Sequence, residues 1–268
     1  MKTPMVCKVG GALLDNPEIL KQWLASIKHI QRHRPVIIVH GGGNGVESLL
    51  AQLGQKSEKY QGLRVTPDEQ MPYIAGALAG TANKQLCAFA YAGGLNAVGL
   101  SLFDGDSVTC AELNPALQAV GSAKPNNPAL LNSLLEQSFL PVISSIGCDA
   151  SGRLLNVNAD QAATAIAQLL GADLYLLSNV PAVLDEVKRP LKSLTPTIAQ
   201  ILIDSGVIEG GMLVKVKAAQ VAANTINKSV FIGAWNEPKA LFAHATQQQS
   251  SFGTAVQPAA QQTEETLP

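Results

Sequence analysis

Short apolar runs of strand length alternate with helical patterns along most of this chain, and this alternation limits the possible folds more than any other feature. Residues 4–9 and 35–40 are two such runs, and each is closed by consecutive glycines. Between them, Asn16 can cap a helix that begins at Pro17, since proline suits the first helical position. Strands alternating with helices form a mainly parallel sheet covered on both faces. The pattern therefore predicts an α/β fold.

The same alternation continues to about residue 233. Further strands are predicted at residues 97–102, 141–146, 173–178 and 229–233, and further helices at 66–91, 128–137, 160–170, 196–205 and 212–225. Two segments, 97–109 and 147–155, are more typical of hairpins, so the sheet is predicted to be mixed. Residues 254–268 are rich in Gln, Ala, Thr and Glu and are predicted to form a flexible tail without a role in the chemistry.

Composition and charge exclude several classes of protein. Of the 268 residues 47% are hydrophobic, which suffices for a sizeable core and argues against disorder. A formal net charge of −1 gives no sign of binding to nucleic acid or to an anionic membrane. No run reaches the ~18 apolar residues of a membrane span, and no signal-peptide core is present, so a cytoplasmic protein is expected. The four cysteines lack metal-site spacing; we expect them to be reduced and mostly buried, and no metal site is predicted.

Two glycine-rich turns are candidate phosphate-binding elements. Gly10 and Gly11 follow the first strand, and Gly41–Gly43 follow the second. Glycine lets the backbone approach a ligand closely, and amides at a helix start point at an anion. Ligands of parallel sheets bind beyond the carboxyl ends of the strands, where both turns fall. Neither a GxxxxGK[ST] motif nor a GxGxxG with an acidic partner occurs, which argues against a P-loop and a dinucleotide fold.

The run from His40 to Gly43 also matches the oxyanion-hole motif of lipases and esterases. Those enzymes need a serine in a GxSxG elbow, and this sequence has none. A hydrolase is therefore disfavoured. We expect His40 to be a strand-end residue bonded to the backbone rather than a catalyst.

Three charged side chains are candidates for the chemistry. Lys8 ends a buried strand, where an unpaired ammonium is costly, so it should meet a negative charge. Lys215 begins a helix and opposes its macrodipole, which indicates an anionic neighbour. The alternative for each lysine is a solvated surface position. Asp160 lies in the first turn of a helix that Asn158 can cap, but capping does not explain Asn156, which precedes that helix.

Together these segments resemble the acetylglutamate kinases of the amino acid kinase family, over almost the whole chain from residue 6 to 253. The Gly-Leu-Arg-Val-Thr and Asn-Val-Asn-Ala-Asp segments indicate the substrate, whereas Lys-x-Gly-Gly is typical of the wider family. The segments that carry the resemblance are Lys8-Val-Gly-Gly11, His40-Gly-Gly-Gly43, Gly62-Leu-Arg-Val-Thr66, Ala77-Leu-Ala-Gly-Thr-Ala-Asn-Lys84, Asp104-Gly-Asp106, Asn156-Val-Asn-Ala-Asp-Gln-Ala-Ala163 and Gly211-Met-Leu-Val-Lys215.

The resemblance implies an open three-layer αβα sandwich around a mainly parallel mixed sheet. It implies an N-terminal lobe of residues 1–170 for acyl amino acid binding and dimerisation, and a C-terminal lobe of residues 171–253 for ATP. The implied activity is ATP-dependent phosphorylation, with Mg²⁺, of the γ-carboxylate of N-acetyl-L-glutamate in arginine biosynthesis. A homodimer is expected. Because Lys8 leaves no room for the extra N-terminal helix of arginine-inhibited members, insensitivity to arginine is expected as well.

The resemblance also assigns roles to individual residues. Lys8 and Lys215 stabilise the transition state, and Asp160 holds them in place and is expected to keep the pKa of Lys215 high. Gly42, Gly43, Arg64 and Asn156 bind the substrate. The residues expected at the nucleotide are Gly10, Gly11, Asn179, Val180, Pro181, Ala182, Val183, Leu184, Val207, Ile208 and Glu209. Asn179 and Glu209 depart from the family pattern and change the charge beside the nucleotide.

A carboxylate acceptor suits these residues chemically. Its free pKa is about 4.3, so it is ionised at neutral pH and needs no general base. Phosphoryl transfer depends on positioning and charge stabilisation, which lysines, backbone amides and Mg²⁺ supply. Arg64 offers a planar fork for a carboxylate. Two alternatives remain: a kinase with another acceptor, such as acetylaminoadipate or aspartate, and a catalytically weak homologue that senses a ligand.

Overall fold

The computed structural model describes residues 2–60, 63–246 and 251–259. The strands are β1 Met5–Val9, β2 Val36–His40, β3 Glu58–Tyr60, β4 Leu63–Val65, β5 Ala97–Ser101, β6 Val108–Glu112, β7 Val120–Pro125, β8 Leu140–Ser144, β9 Ile146–Cys148, β10 Leu154–Val157, β11 Asp173–Ser178, β12 Ser193–Leu194, β13 Val230–Ala234 and β14 Thr254–Val256. The helices are α1 Gly11–Leu14, α2 Pro17–Gln31, α3 Gly43–Gln52, α4 Met71–Ala75, α5 Asn83–Ala92, α6 Ala129–Glu136, α7 Ala159–Leu170, α8 Pro196–Asp204, α9 Gly210–Ile226 and α10 Pro238–Ala245.

The main sheet has eight strands in the order β12-β14-β13-β11-β1-β2-β8-β5. Neighbours pair in parallel except β13 and β14, which pair antiparallel. The prediction of a mainly parallel mixed sheet is confirmed. Because β1 and β2 are adjacent and parallel in the centre, the glycine turns that follow them lie at the same edge of the sheet.

Apolar side chains cover both faces of this sheet, which gives the three layers predicted from the sequence. Alternate residues of β1 point to opposite sides: Val6 joins one core cluster, and Cys7 and Val9 join the other. The first cluster includes Ile166 of α7, and the second includes the fully buried Trp23 of α2. No helix within the described ranges is long and apolar enough to cross a membrane.

A second, smaller sheet has four strands in the order β6-β7-β10-β9. Strands β3 and β4 pair antiparallel in a third sheet of two strands. The hairpin predicted at residues 147–155 is confirmed, because β9 and β10 pair antiparallel. The hairpin predicted at residues 97–109 is wrong: β5 pairs in parallel with β8 in the main sheet, and β6 pairs instead with β7. The sequence between them turns through Asp104–Asp106, so the two strands separate into different sheets.

The helix predicted at residues 66–91 is present but irregular. It begins with a 3₁₀ turn at Asp68–Gln70, and a π-helical segment at Gly76–Ala82 joins α4 to α5.

The tail predicted from residue 254 is wrong for its first residues, because Thr254–Val256 form β14 inside the main sheet. Residues 260–268 of that prediction lie outside the described residues, and the division into two lobes at residue 170 stays a prediction. All four cysteines are free, and two of them, Cys7 and Cys110, are buried.

Candidate active site

The two glycine turns meet at the carboxyl edge of the central strands. The amide of Gly41 donates to the carbonyl of Val9 at 3.3 Å. A side chain at Gly11 would lie against the backbone of Gly42, at 3.5 Å. At Gly42 an added Cβ would approach Leu78 Cδ2 to 2.7 Å, so the end of that side chain would have to shift. The turns after β1 and β2 thus contact each other, and Leu78 of the π-helical segment packs against them. Gly10, Gly11, Gly42 and Gly43 share one region, as predicted.

Lys8 and Asp160 form an ion pair beside these turns. Lys8 Nζ lies 2.9 Å from Asp160 Oδ1, and the side chains are 19% and 26% exposed. Asp160 is held in the first turn of α7 because Asn158 Oδ1 accepts from the amides of Asp160, at 2.9 Å, and Gln161, at 3.3 Å. The expected N-cap is thus confirmed, and the buried strand-end lysine meets the negative charge that its position required.

Lys215 joins this group from α9. Its Nζ donates to Ser178 Oγ at 3.1 Å, at the carboxyl end of β11. Burial lowers the pKa of Lys215, the positive charge of Lys8 lowers it further, and the charge of Asp160 raises it in part. The expectation of a high pKa for Lys215 is wrong, because burial and Lys8 together outweigh Asp160. Because β11 pairs with β1 next to Lys8 (Lys8 opposite Leu176), Lys215 lies at the same edge of the sheet as the Lys8–Asp160 pair.

A cavity of about 180 Å³ lies next to this cluster. It brings together Gly42, Gly43, Arg64 and Asn156, the four residues predicted to bind the acceptor. Its remaining wall combines apolar side chains with polar groups from the start of α7 and the end of β8. The further lining residues are Gly41, Val46, Leu63, Ile74, Leu78, Val120, Ser145, Val157, Asn158 and Ala159. A small pocket with a few convergent polar groups is typical of a site for a small metabolite.

Arg64 reaches this cavity from β4 with its guanidinium already oriented. Its Nη2 donates to Glu47 Oε1 of α3 at 2.7 Å, and its Nη1 donates to the Ser57 hydroxyl. The Arg64 side chain is 12% exposed. Burial alone would raise the pKa of the Glu47 carboxyl, but the hydrogen bonds and charge of Arg64 outweigh that effect and lower it. Glu47 therefore remains ionised and fixes one side of the arginine fork.

Asn156 lies across the cavity on β10. Its Nδ2 donates to Thr66 Oγ1 at 3.0 Å, and Thr66 itself is fully buried. The carboxamide oxygen of Asn156 takes no part in this hydrogen bond. The structure therefore links the end of β4, the strand that carries Arg64, directly to Asn156.

His40 is a buried strand-end residue, as expected. Its Nδ1 lies 3.0 Å from the carbonyl of Gly41, and its Nε2 lies 3.0 Å from Asn83 Nδ2. A neutral ring that donates from Nδ1 and accepts at Nε2 satisfies both contacts. Burial lowers the pKa of His40 to about 4. The imidazole is thus a structural support for the glycine turn.

Apart from Gly10 and Gly11, which follow β1, the residues predicted at the nucleotide follow β11 or precede α9. Ala182, Val183 and Ile208 are buried, so their side chains pack in the core and a ligand can meet only their backbone. Asn179 and Glu209 are exposed. The residues of intermediate or high exposure in the same two segments are Val180, Pro181, Leu184 and Val207. Contact of any of these residues with a nucleotide stays a prediction.

The profile of the amino acid kinase family matches residues 3–234. The chain belongs to the amino acid kinase family. The acetylglutamate kinase of Aeromonas salmonicida is 52% identical to it over 242 residues, which cover 90% of this chain and 93% of that one. The acetylglutamate kinase of Serratia proteamaculans is 52% identical over 234 residues, covering 87% and 91%. The solved structure of smu.665 from Streptococcus mutans UA159 is similar with a TM-score of 0.77 and 28% identity, covering 96% of this chain and 99% of that one.

In this amino acid kinase the sequence reasoning missed Glu47 and Ser178. Glu47 lies one turn into the helix that follows Gly43, where an acidic residue on an exposed helix has no distinctive pattern. Ser178 ends β11 and was visible only as part of a strand. Both act through a partner distant in the chain, Arg64 and Lys215, and such pairs become apparent only once the fold brings them together.

Proposed function

We propose that this chain is an acetylglutamate kinase: it transfers the γ-phosphoryl group of ATP to the side-chain carboxylate of N-acetyl-L-glutamate. The observation that carries the proposal is the convergence of Lys8, Asp160 and Lys215 at one edge of the sheet beside the two glycine turns, next to a cavity that contains Arg64. Relatives with half of their residues identical over about nine-tenths of the chain are acetylglutamate kinases, which supports this acceptor over other acyl amino acids.

In the proposed reaction a carboxylate oxygen of the acceptor forms a bond to the γ-phosphorus of ATP. The bond from that phosphorus to the bridging oxygen breaks, and ADP leaves with the electron pair. The product is an acyl phosphate. Since the acceptor is already ionised at neutral pH, no side chain has to remove a proton. This agrees with the state of His40, which is bonded to the backbone and has a pKa of about 4.

The main obstacle is repulsion between the acceptor anion and the triphosphate. The ammonium of Lys8, at the end of β1, and that of Lys215, on α9, offset this repulsion. Asp160 restrains Lys8 through the 2.9 Å ion pair, so less conformational freedom has to be lost during the reaction. The amides at Gly10–Gly11 and Gly42–Gly43 add donors that need no reorganisation.

Acceptor recognition is assigned to the cavity. Arg64 presents a planar fork to the α-carboxylate of N-acetyl-L-glutamate, and Asn156 provides an amide contact. Glu47 and Ser57 hold two of the arginine nitrogens, which fixes the direction of the remaining donors.

Mg²⁺ is proposed to arrive with ATP. Within the described part of the chain no group of three or more His, Cys, Asp or Glu side chains is placed to hold a metal ion. Mg²⁺ commonly keeps several waters and binds through substrate phosphates with few protein ligands, which is compatible with this donor set. When bound, the ion neutralises charge on the phosphates.

The proposal is tested by a hydroxamate assay for acyl phosphate. The purified protein is incubated with MgATP, hydroxylamine and one acceptor: N-acetyl-L-glutamate, N-acetylaminoadipate or aspartate. We expect hydroxamate with N-acetyl-L-glutamate only, and none when AMP-PNP replaces ATP. More hydroxamate with another acceptor would contradict the proposal and show that this kinase phosphorylates a different substrate. Tight binding of N-acetyl-L-glutamate without turnover would support a ligand sensor instead.

A homodimer and a cytoplasmic location are also part of this proposal, and both rest on the resemblance to the acetylglutamate kinases. Light scattering of the purified protein tests the first and is expected to give twice the chain mass of 28.0 kDa. A monomer or a larger assembly would contradict it. Fractionation of cells that express the full-length protein tests the second.

A further inference from the structure

The hydroxyl of Thr254 links two parts of the segment that carries most of the residues proposed to bind nucleotide. Thr254 Oγ1 accepts from the amide of Val183 at 2.9 Å and donates to the carbonyl of Leu191 at 2.6 Å. Thr254 is fully buried. Both partners are backbone groups more than sixty residues earlier in the chain, so this single hydroxyl satisfies one buried donor and one acceptor of a distant loop.

The strand that carries Thr254 is fixed tightly in the sheet. Thr254 pairs with Ile232 of β13, and β14 also pairs with β12 on its other side. Gly253 before it has a φ of +57°, and a Cβ there would lie 2.0 Å from the carbonyl oxygen of Ile232. Only glycine fits this approach. The position of the Thr254 hydroxyl is thus set by the backbone of the core.

The segment of residues 179–191, here called loop 179–191, closes on itself at the point that Thr254 contacts. The amide of Leu191 donates to the carbonyl of Val183 at 2.8 Å, and Leu184 bridges to Pro190. At its start, the amide of Val180 donates to Ser178 Oγ at 3.2 Å, the same hydroxyl that accepts from Lys215. The loop is therefore attached at its start beside the catalytic lysine and at its base by Thr254.

We propose that Thr254 is a positioning residue for nucleotide binding: its hydroxyl fixes loop 179–191 at Val183 and Leu191, so that the backbone of residues 179–184 is held in the conformation that meets ATP. This inference rests on the proposed function and on the resemblance to the acetylglutamate kinases, which places residues 179–184 at the nucleotide. It gives a binding role to a residue beyond the part of the chain matched by the family profile, which ends at residue 234.

The test compares Thr254→Val with Thr254→Ser. Valine keeps the shape but removes the hydroxyl, leaving the buried amide of Val183 without its partner, whereas serine keeps the hydroxyl. The Kd of Mg-AMP-PNP is measured by calorimetry, and the KM values of ATP and N-acetyl-L-glutamate are measured by steady-state kinetics. We expect Thr254→Val to weaken AMP-PNP binding and raise the KM of ATP by about tenfold, the scale of one buried hydrogen bond. Thr254→Ser should stay within about twofold of the unmodified protein, and the KM of N-acetyl-L-glutamate should not change in either variant.

Nucleotide affinity that is unchanged in Thr254→Val, or KM values that rise equally for both substrates, would overturn the inference and leave a role in stability alone. Should Thr254→Val not fold, hydrogen exchange of the Val183 amide in the unmodified protein decides the matter. AMP-PNP is expected to slow that exchange and N-acetyl-L-glutamate to leave it unchanged; no effect of AMP-PNP would contradict the role of Thr254. Failure of the unmodified protein to turn over ATP with N-acetyl-L-glutamate would instead contradict the proposed function.

Discussion

The ammonium of Lys8 lies 2.9 Å from the carboxylate of Asp160, which joins the central strand β1 to the N-terminus of α7. The carboxylate is favoured there by the dipole of α7, and the cap formed by Asn158 fixes the first turn that carries it. Because both side chains are mostly shielded from solvent, the pair keeps Lys8 in one position instead of several. Orientation of a positive charge is the contribution that phosphoryl transfer requires of a protein.

Replacement of Asp160 by Asn should therefore reduce turnover while leaving the fold intact. Asparagine keeps the size of the side chain and removes the charge that restrains Lys8. We expect kcat for acyl phosphate formation to fall roughly 10- to 100-fold, the range for disturbing one preorganised group. Asp204→Asn, at an exposed carboxylate that ends α8, is the matched control and should retain full activity. A normal kcat in Asp160→Asn would remove this carboxylate from the mechanism.

The lowered pKa of Lys215 predicts the pH dependence of the free enzyme. In the proposed mechanism Lys215 acts in its protonated form, so kcat/KM should fall as pH rises through its pKa. Burial and Lys8 place that pKa below the value of about 10.4 of an ordinary lysine. Asp160 raises this pKa, so Asp160→Asn should move the alkaline fall of kcat/KM to lower pH. Profiles of kcat/KM against pH for both proteins provide the measurement. Identical alkaline limbs would contradict the proximity of the two groups.

Arg64 should govern acceptor affinity and not nucleotide affinity. Arg64→Ala removes charged hydrogen bonds to the proposed carboxylate, so the KM of N-acetyl-L-glutamate should rise roughly 10- to 100-fold while that of ATP stays the same. Arg64→Lys retains the charge but loses the planar fork held by Glu47, and a large part of the increase should remain. An unchanged KM for N-acetyl-L-glutamate in Arg64→Ala would show that the acceptor binds elsewhere.

Buried His40 should make the protein less stable at acidic pH. Burial lowers its pKa from 6.5 to about 4, so between these values the unfolded chain binds a proton that the folded protein does not. Stability is therefore lost as pH falls from about 6.5 to about 4, by about 3 kcal/mol for this shift. Urea unfolding at pH 7.5 and 4.5 measures the loss. His40→Gln should lose less stability over this interval than the unmodified protein; an equal loss would assign the acid sensitivity to other groups.

Much of the fold could be predicted from local patterns. Strands β1, β2, β8, β11 and β13 are mostly apolar, because they are covered on both faces, and such runs are visible in the sequence. Strands β6 and β14 contain no such run; they form because their backbones pair with a neighbouring strand, β7 and β13 respectively. Pairing between distant segments is a tertiary property, so the hairpin at residues 97–109 and the early start of the tail were predicted wrongly.

In the site, too, some residues could be predicted from local patterns and others depend on tertiary contacts. Lys8 could be identified because it ends a buried strand, where an unpaired charge would be unfavourable. Asp160 could be identified because it lies in the first turn of a capped helix, within a segment that resembles the family. The direction of the shift in the pKa of Lys215 could not be predicted, because it depends on how deeply the Lys215 side chain is buried and on how close Lys8 lies. For the same reason Glu47, Ser178 and the hydroxyl of Thr254 were not recognised before the fold placed them beside Arg64, Lys215 and Val183.

In the proposed mechanism the ammonium groups of Lys8 and Lys215 together allow two anions to react. The most direct measurement is kcat for acyl phosphate formation in Lys8→Ala and in Lys215→Ala, with MgATP and N-acetyl-L-glutamate both saturating. Each substitution is expected to lower kcat by roughly 10²-fold or more, the effect of losing one preorganised donor. Near-normal kcat in either variant would contradict this mechanism.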